Sequence, residues 1–293
     1  MTFITEFARA KINLTLKVGP LGRDGYHPLE SLVVFADAGD RLDFAPAPDL
    51  TLAITGPFGE GLDTGVDNLV LRAARALLKA SGKRAGAHII LDKALPIASG
   101  IGGGSADAAA ALRGLNRLWG CKLSYTELEN IGQALGADVP VCVQSRTRFM
   151  SGRGEVLHDV KTWPVLDAVL VNPGFAVSTA AVFSHFDEMN HGETLSGESC
   201  TGAKDFDEAI VRLRGFENSL SAAACALEPR IASLLSALDA QPQTQLARLC
   251  GSGATCVALV RDACAARSLA QDLQKTYPQA WIKSVKLGLS PCV

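Results

Sequence analysis

The chain has 293 residues, 48% hydrophobic and 20% charged, with 28 Lys and Arg against 30 Asp and Glu for a formal net charge of -2. That apolar content excludes a disordered chain, and the even charge balance argues against a dedicated nucleic-acid binder, whose phosphate contacts need a basic excess. No apolar run reaches the roughly 18–20 residues that span a bilayer, and the length suits one large domain or two ordinary ones.

Residues 1–11 carry Glu6, Arg9 and Lys11 without a long apolar stretch, so they are not expected to be a signal peptide. Alternating strand-like and helix-like runs predict a mixed α/β (α+β) architecture. Strands are expected at 12–18, 31–35, 41–44 and 50–54. A helix follows over 68–80, with Leu69, Ala73, Ala76 and Leu77 on one face, and then a strand over 87–91. A glycine-rich loop opens the next helix. Ser124 with Glu127 reads as a capping box starting a helix that ends near Leu135 and is stopped by Gly136. A strand is expected at 167–171. The stretch 185–205, with His191, Gly192, Ser196, Gly197, Glu198 and Gly202, reads as an exposed loop. Helices are predicted at 208–213, 218–227, 229–238 and 262–277, with strands at 255–260 and 281–287. One boundary is expected between about residue 150 and the loop, giving domains over 1–155 and 156–293. The cysteines, Cys121, Cys142, Cys200, Cys225, Cys250, Cys256, Cys264 and Cys292, form no C-x-x-C pair and no zinc spacing, and read as reduced, mostly buried thiols of a cytoplasmic protein. His88, His158, His185 and His191 show no ligand spacing and read as structural or surface residues.

The most informative segment is Pro96-Ile97-Ala98-Ser99-Gly100-Ile101-Gly102-Gly103-Gly104-Ser105-Ala106. Glycines here leave the backbone nearly bare, so several N–H groups can converge on an anion at the partial positive charge of a helix N-terminus. A polyphosphate is the natural ligand. The bland alternative is a flexible turn before an alanine-rich helix, but so many glycines cost backbone entropy without packing anything. A Walker A loop fails for want of Lys followed by Ser or Thr, and a dinucleotide fingerprint fails at Ser105. The protein-kinase motifs are missing as well.

Three other segments stand out. In 8–16, Ile12, Leu14 and Leu16 take one strand face and Lys11, Asn13 and Thr15 the other. A lysine there is either a solvated edge residue or a functional one. Asp138, in Gly136-Ala137-Asp138-Val139-Pro140, has no local partner. It reads as a turn or cap aspartate or as a partly buried carboxylate with a distant cation, and the residues leave both readings open. Cys250-Gly251-Ser252-Gly253-Ala254 is a second small-residue loop, either an ordinary turn or a backbone that approaches a ligand closely.

In this order the segments resemble the GHMP kinase superfamily, which includes galactokinase, homoserine kinase and mevalonate kinase. The resemblance rests on a Lys-bearing N-terminal strand, on Pro96 to Ala106 with one extra glycine, and on Gly251 to Ala254. Asp24-Gly25-Tyr26-His27, Asp67-Asn68-Leu69-Val70, Gly136 to Pro140 and Asn172-Pro173-Gly174 are similar to the branch that acts on a cytidylyl sugar-alcohol diphosphate in the non-mevalonate isoprenoid pathway. Homoserine and mevalonate kinases lack the DGYH segment. The resemblance implies two α/β domains with ATP and substrate between them, and ATP-dependent phosphorylation of the sugar alcohol's tertiary 2-hydroxyl. It implies Lys11 and Asp138 as the catalytic pair, and Tyr26, His27 and Phe183 around the cytosine. Asn13 and Thr179 fall near the polar tail, and Asp67 and Asn68 beside the nucleotide. Mg²⁺ would accompany ATP, with Ser105 as a possible ligand and Asp107 as either a supporting partner or a complement to the helix dipole. Val33 stands where some relatives place an aromatic, and Ala98 and Ser99 replace common glycines. A non-catalytic nucleotide sensor is the competing class, and the presence of both Lys11 and Asp138 argues against it. No membrane or nucleic-acid partner is expected, and a monomer or weak homodimer fits.

Overall fold

The computed structural model describes residues 3–189, 192, 194, 195, 197 and 202–289. The strands are β1 (Ile4–Asn13), β2 (Lys17–Val18), β3 (Leu29–Ala47), β4 (Leu50–Thr55), β5 (Gly86–Asp92), β6 (Arg148–Ser151), β7 (Val156–Asp159), β8 (Leu166–Asn172), β9 (Thr244–Leu249), β10 (Cys256–Val260) and β11 (Trp281–Leu287). The helices are α1 (Leu69–Ser81), α2 (Gly103–Leu118), α3 (Tyr125–Gln133), α4 (Val139–Gln144), α5 (Thr179–Met189), α6 (Phe206–Arg214), α7 (Ser221–Leu227), α8 (Pro229–Asp239) and α9 (Ala263–Thr276). The expected mixed α/β class is what the chain adopts.

Two compact units emerge, and they do not follow a single cut at 155. The first takes the described residues of 3–11 with Ala38–Ile97 and Gly102–Ser145. The second takes Ile12–Asp37, Ala98–Ile101 and the described residues from Arg146 onward.

In the first unit, β5 lies between β4, parallel to it, and the later part of β3, antiparallel to it. Leu42, Phe44, Ile89 and Leu91 point into the core beneath α1 and α2. The alanine run of α2 is buried, and Gly114 leaves room for the Phe44 ring, whose Cε2 would lie 2.4 Å from an added Cβ. Local signals start and stop the helices. Asn68 caps α1 by accepting from the Val70 N–H at 2.9 Å, and Gly82 ends it in the left-handed region. Ser124 and Glu127 form the expected capping box of α3. That helix ends at Gln133 with Ala134 in ordinary helical conformation, so Gly136 is not its left-handed stop.

In the second unit, β8 pairs antiparallel with β11 on one side and β10 on the other, and β10 pairs with β9. Val169, Val171, Phe186, Leu220, Ile231, Leu249, Leu269 and Leu273 share its core. Asp262 caps α9 through the Cys264 and Ala265 N–H groups.

Several expectations need correction. The first strand begins at Ile4, not at 12, and the expected strands at 31–35 and 41–44 are one 19-residue strand. The exposed loop expected from 185 starts as helix, because α5 runs to Met189. α7 starts at Ser221, and Asn218 instead bonds the carbonyls of Leu249 and Gly251 at 3.0 and 2.7 Å. Cys142, Cys250 and Cys256 are buried and Cys121 and Cys225 partly so, while Cys264 is exposed. Burial raises the thiol pKa values of Cys142 and Cys256. Cys200, Cys292 and His191 lie outside the described residues. Among those described, no helix is long and apolar enough to cross a membrane.

Candidate active site

The first unit brings Lys11 and Asp138 together. They are 127 residues apart in sequence, yet Lys11 Nζ donates to Asp138 Oδ2 at 2.8 Å. Lys11 is buried near the end of β1 rather than solvated, whereas the Asp138 side chain keeps 36% of its surface exposed. Asp138 occupies the N-cap position of α4 but makes no capping bond, so its carboxylate is committed to the lysine. The distant-cation reading of this residue therefore holds over the cap reading. The pair is placed by a second link between the same elements. Arg113 of α2 donates to Glu6 of β1 at 2.8 Å and to the Cys142 and Val143 carbonyls of α4 at 3.1 Å.

The glycine loop opens α2 as expected. Gly102 is the N-cap with φ +65°, and no acidic residue enters the first turn, which leaves the N-terminal N–H groups and the positive end of the helix for an anion. A Cβ on Gly102 would lie 3.1 Å from Lys11 Cβ, so the lysine stem runs against the loop. A Cβ on Gly104 would touch Leu69 Cδ1 at 3.5 Å, which sets the starts of α1 and α2 side by side and brings Asn68 near the loop. The Asn68 amide is committed to Val70 and to the Asp63 carbonyl, and Asp67 beside it is exposed.

Beneath the loop is a cluster that the sequence reading missed. Lys93 Nζ donates to Asp40 Oδ2 at 2.5 Å and to Asp107 Oδ2 at 2.6 Å, and all three side chains are buried. Asp40 Oδ1 also accepts the Ala94 and Leu95 N–H groups, at 2.7 and 2.8 Å. A Cβ on Gly103 would sit 3.2 Å from Lys93 Nζ. Burial raises the Asp107 pKa to about 8, opposed by Lys93. Burial would lower Lys93, but the two carboxylates outweigh it and raise its pKa. Asp107 lies beyond the first turn of α2 and pairs with this lysine, so it is a buried strut and not a complement to the helix dipole.

Ala98–Ile101 belongs to the second unit, where it packs on the other small-residue loop. A Cβ on Gly100, φ +78°, would lie 2.3 Å from the Cys250 carbonyl oxygen, and one on Gly251 would lie 2.7 Å from that of Gly100. These glycines let one backbone approach another. Ala98 keeps the glycine-like conformation at φ +48°. Asn172, expected only as part of a motif, bonds Thr255 Oγ1 at 3.0 Å behind the loop.

Tyr26, His27 and Phe183 gather in the second unit. Tyr26 is 57% exposed. The His27 ring is buried, 5.3 Å from Phe183 and edge-on to Phe186 at 6.0 Å. Its Nδ1 donates to the Gly19 carbonyl at 2.8 Å and its Nε2 lies 3.2 Å from Asp187 Oδ1. Both nitrogens therefore already face protein groups, so this ring is a wall of the site and not a free hydrogen-bonding edge. Thr179 is bonded to Ser252 at 2.8 Å. Asn13 donates to Ser31 Oγ at 2.7 Å, while its Oδ1 is buried with no protein partner. Val33 is fully buried in β3 and offers no surface to a ligand.

Known proteins resemble this chain over nearly its whole length. Residues 68–146 match the GHMP kinases N terminal domain family. The 4-diphosphocytidyl-2-C-methyl-D-erythritol kinase of Parvibaculum lavamentivorans is 46% identical over 285 residues, covering 97% of this chain and 98% of the relative. The chain belongs to the 4-diphosphocytidyl-2-C-methyl-D-erythritol kinase family. The kinase of that name from Caulobacter vibrioides is 40% identical over 288 residues, covering 97% of this chain and 99% of the relative. A crystal structure of 4-(cytidine 5'-diphospho)-2C-methyl-D-erythritol kinase superposes with a TM-score of 0.76 at 31% identity, covering 98% of this chain and 100% of that one. A crystal structure of L. major mevalonate kinase in complex with R-mevalonate shares the fold at a TM-score of 0.70 and 17% identity, covering 99% of this chain and 98% of that one. Lys93, Asp40, Arg153 and Asp187 are partners of the candidate site residues, and no local motif announces them. The one signal that sequence offers for Lys93 is a lysine two residues before the apolar Leu95-Pro96 step into the loop.

Proposed function

We propose that this chain transfers the γ-phosphoryl group of ATP to the 2-hydroxyl of 4-diphosphocytidyl-2-C-methyl-D-erythritol, giving the 2-phosphate and ADP, in the non-mevalonate isoprenoid pathway of the cytoplasm. The observation that carries the reading is the Lys11–Asp138 pair at 2.8 Å, whose lysine stem lies against Gly102 at the opening of α2. Asp138 accepts the hydroxyl proton as the substrate oxygen bonds the γ-phosphorus and the bond to the β,γ-bridging oxygen breaks, releasing ADP. Lys11 orients that carboxylate and sets a positive charge beside the transferring group. The first-turn N–H groups of α2, from Gly103 to Ser105, hold the phosphates, and Pro96, Ile97, Ala98, Ser99 and Ile101 shape the approach to them. Asp67 and Asn68 stand beside the nucleoside.

Among the described residues no group of three or more His, Cys, Asp or Glu could hold a metal. Mg²⁺ would arrive with ATP, since this ion keeps phosphate and water ligands, and the Ser105 hydroxyl would be the protein donor. When bound, the ion neutralises charge on the β- and γ-phosphates. Asp107 is held inside by Lys93 and does not serve as a ligand.

At the other end of the substrate, Tyr26 and Phe183 take the cytosine between them and His27 walls the pocket. The free Asn13 Oδ1 accepts a hydrogen bond from the polar tail, near Thr179. The partners in this reading are ATP and the cytidylyl compound alone, with the chain acting as a monomer or weak homodimer. ADP release with Mg-ATP and 4-diphosphocytidyl-2-C-methyl-D-erythritol, run beside homoserine, mevalonate and galactose, tests it. Turnover of the cytidylyl compound alone upholds the assignment, and turnover of another alcohol in its place overturns it.

A further inference from the structure

Tyr26 is held from three directions although more than half of it is exposed. Gly25, at φ +79°, turns the chain so that Asp24 Oδ1 accepts the Tyr26 N–H at 3.1 Å, an Asx-type turn. The same carboxylate accepts a hydrogen bond from Arg153 Nη2. The Arg153 guanidinium in turn lies over the Tyr26 ring, 4.5 Å from its centroid, which closes the cycle. Arg153 is itself fixed in the β6–β7 turn, where Gly152 and Gly154 have φ of +70° and +116° and its N–H donates to Glu155 Oε2 at 2.6 Å. The backbone bond to Tyr26, and then Arg153, holds the Asp24 carboxyl below its usual range.

The fold gains little from this arrangement. Exposed ion pairs and exposed cation–π contacts are each worth only a few-fold in an equilibrium constant, and ordering a long arginine offsets much of that. A ring fixed this way keeps one face under the guanidinium and presents the other as a rigid platform. A planar ligand that stacks there loses none of the freedom an unheld tyrosine would have to give up.

Resting on the reading of Tyr26 as a base-stacking residue, we propose that Arg153 and Asp24 are positioning residues that lock the Tyr26 ring for the cytosine and thereby set affinity for the cytidylyl end of the substrate. Neither residue touches the phosphoryl group, so the effect is confined to one substrate.

The test is steady-state kinetics of Arg153→Gln, Arg153→Lys, Asp24→Asn and Tyr26→Ala on the full chain, with melting temperature as the folding check. Arg153→Gln raises KM for the cytidylyl substrate about two- to fivefold and leaves kcat and the KM for ATP unchanged. Arg153→Lys restores part of the loss, because it keeps the charge but not the planar stack. In Tyr26→Ala the Arg153→Gln change has no further effect, as expected of one unit. If Tyr26→Ala raises KM while Arg153→Gln and Asp24→Asn do not, the proposal fails and the stacking role of Tyr26 stands. If Tyr26→Ala also leaves KM unchanged, the base-pocket reading fails and takes the proposal with it.

Discussion

The residues we propose for the phosphates, in the first unit, and for the base, in the second, are held by different physics. Around the glycine loop the supports are buried charges, Lys93 between Asp40 and Asp107. Around Tyr26 the supports are partly exposed contacts among loops, an Asx turn, a cation over a ring and an imidazole tied to Gly19 and Asp187. Buried charges are strong in low dielectric and costly to leave unpaired, whereas exposed contacts are weak and screened. Damage to the first set should therefore unfold the protein as well as disarm it. Damage to the second should change affinity and leave the fold intact.

The largest contrast comes from the strut. Lys93→Met takes the shared cation from the buried Asp40 carboxylate and from Asp107, so it should destabilise by about 3–5 kcal/mol in urea unfolding and raise the KM for ATP in whatever protein folds. A loss below about 1 kcal/mol, the range of an exposed pair, would show that this lysine does not hold the loop. The same cluster carries a pH signature. Because burial raises the Asp107 pKa from 3.8 to about 8, the folded state keeps a proton that the unfolded chain releases between those values. Stability therefore falls as pH rises across that window, and unfolding free energies of Asp107→Asn followed from pH 5 to pH 8 in parallel with the parent should run flatter. Parallel curves would contradict the assignment. The smallest effect belongs to the second unit. His27→Ala removes a wall and two tethers, and should raise the KM for the cytidylyl substrate by about tenfold with kcat and the ATP KM near normal. An equal rise in both KM values would mean that the two halves are not separable.

How much of this was legible follows from how local each signal is. β8, β10 and β11 and the α3 capping box are written in neighbouring residues, and they lie where periodicity and end signals put them. The 37–40 stretch, Asp-Ala-Gly-Asp, imitates a turn, yet it continues β3. A Cβ on Gly39 would fall 2.4 Å from the Ala8 carbonyl oxygen, so that glycine serves the close approach of β1 rather than a reversal. The end of α5 hid because its polar residues resemble the Gly- and Ser-rich sequence that follows. The glycine loop stood out by its own residues, and Lys11 and Asp138 through a resemblance to a family. Lys93 as the partner of Asp40 and Asp107, and Arg153 as the partner of Asp24, did not stand out in either way. Their partners lie up to 129 residues away, and only the folded chain brings them together.

The most direct test of the account is Asp138→Asn, with substrate binding and turnover measured on the same preparation. The account predicts that ATP and 4-diphosphocytidyl-2-C-methyl-D-erythritol still bind while kcat drops by about 10²–10⁴. A variant that turns over at nearly the parent rate would remove Asp138 from proton transfer and with it the central claim.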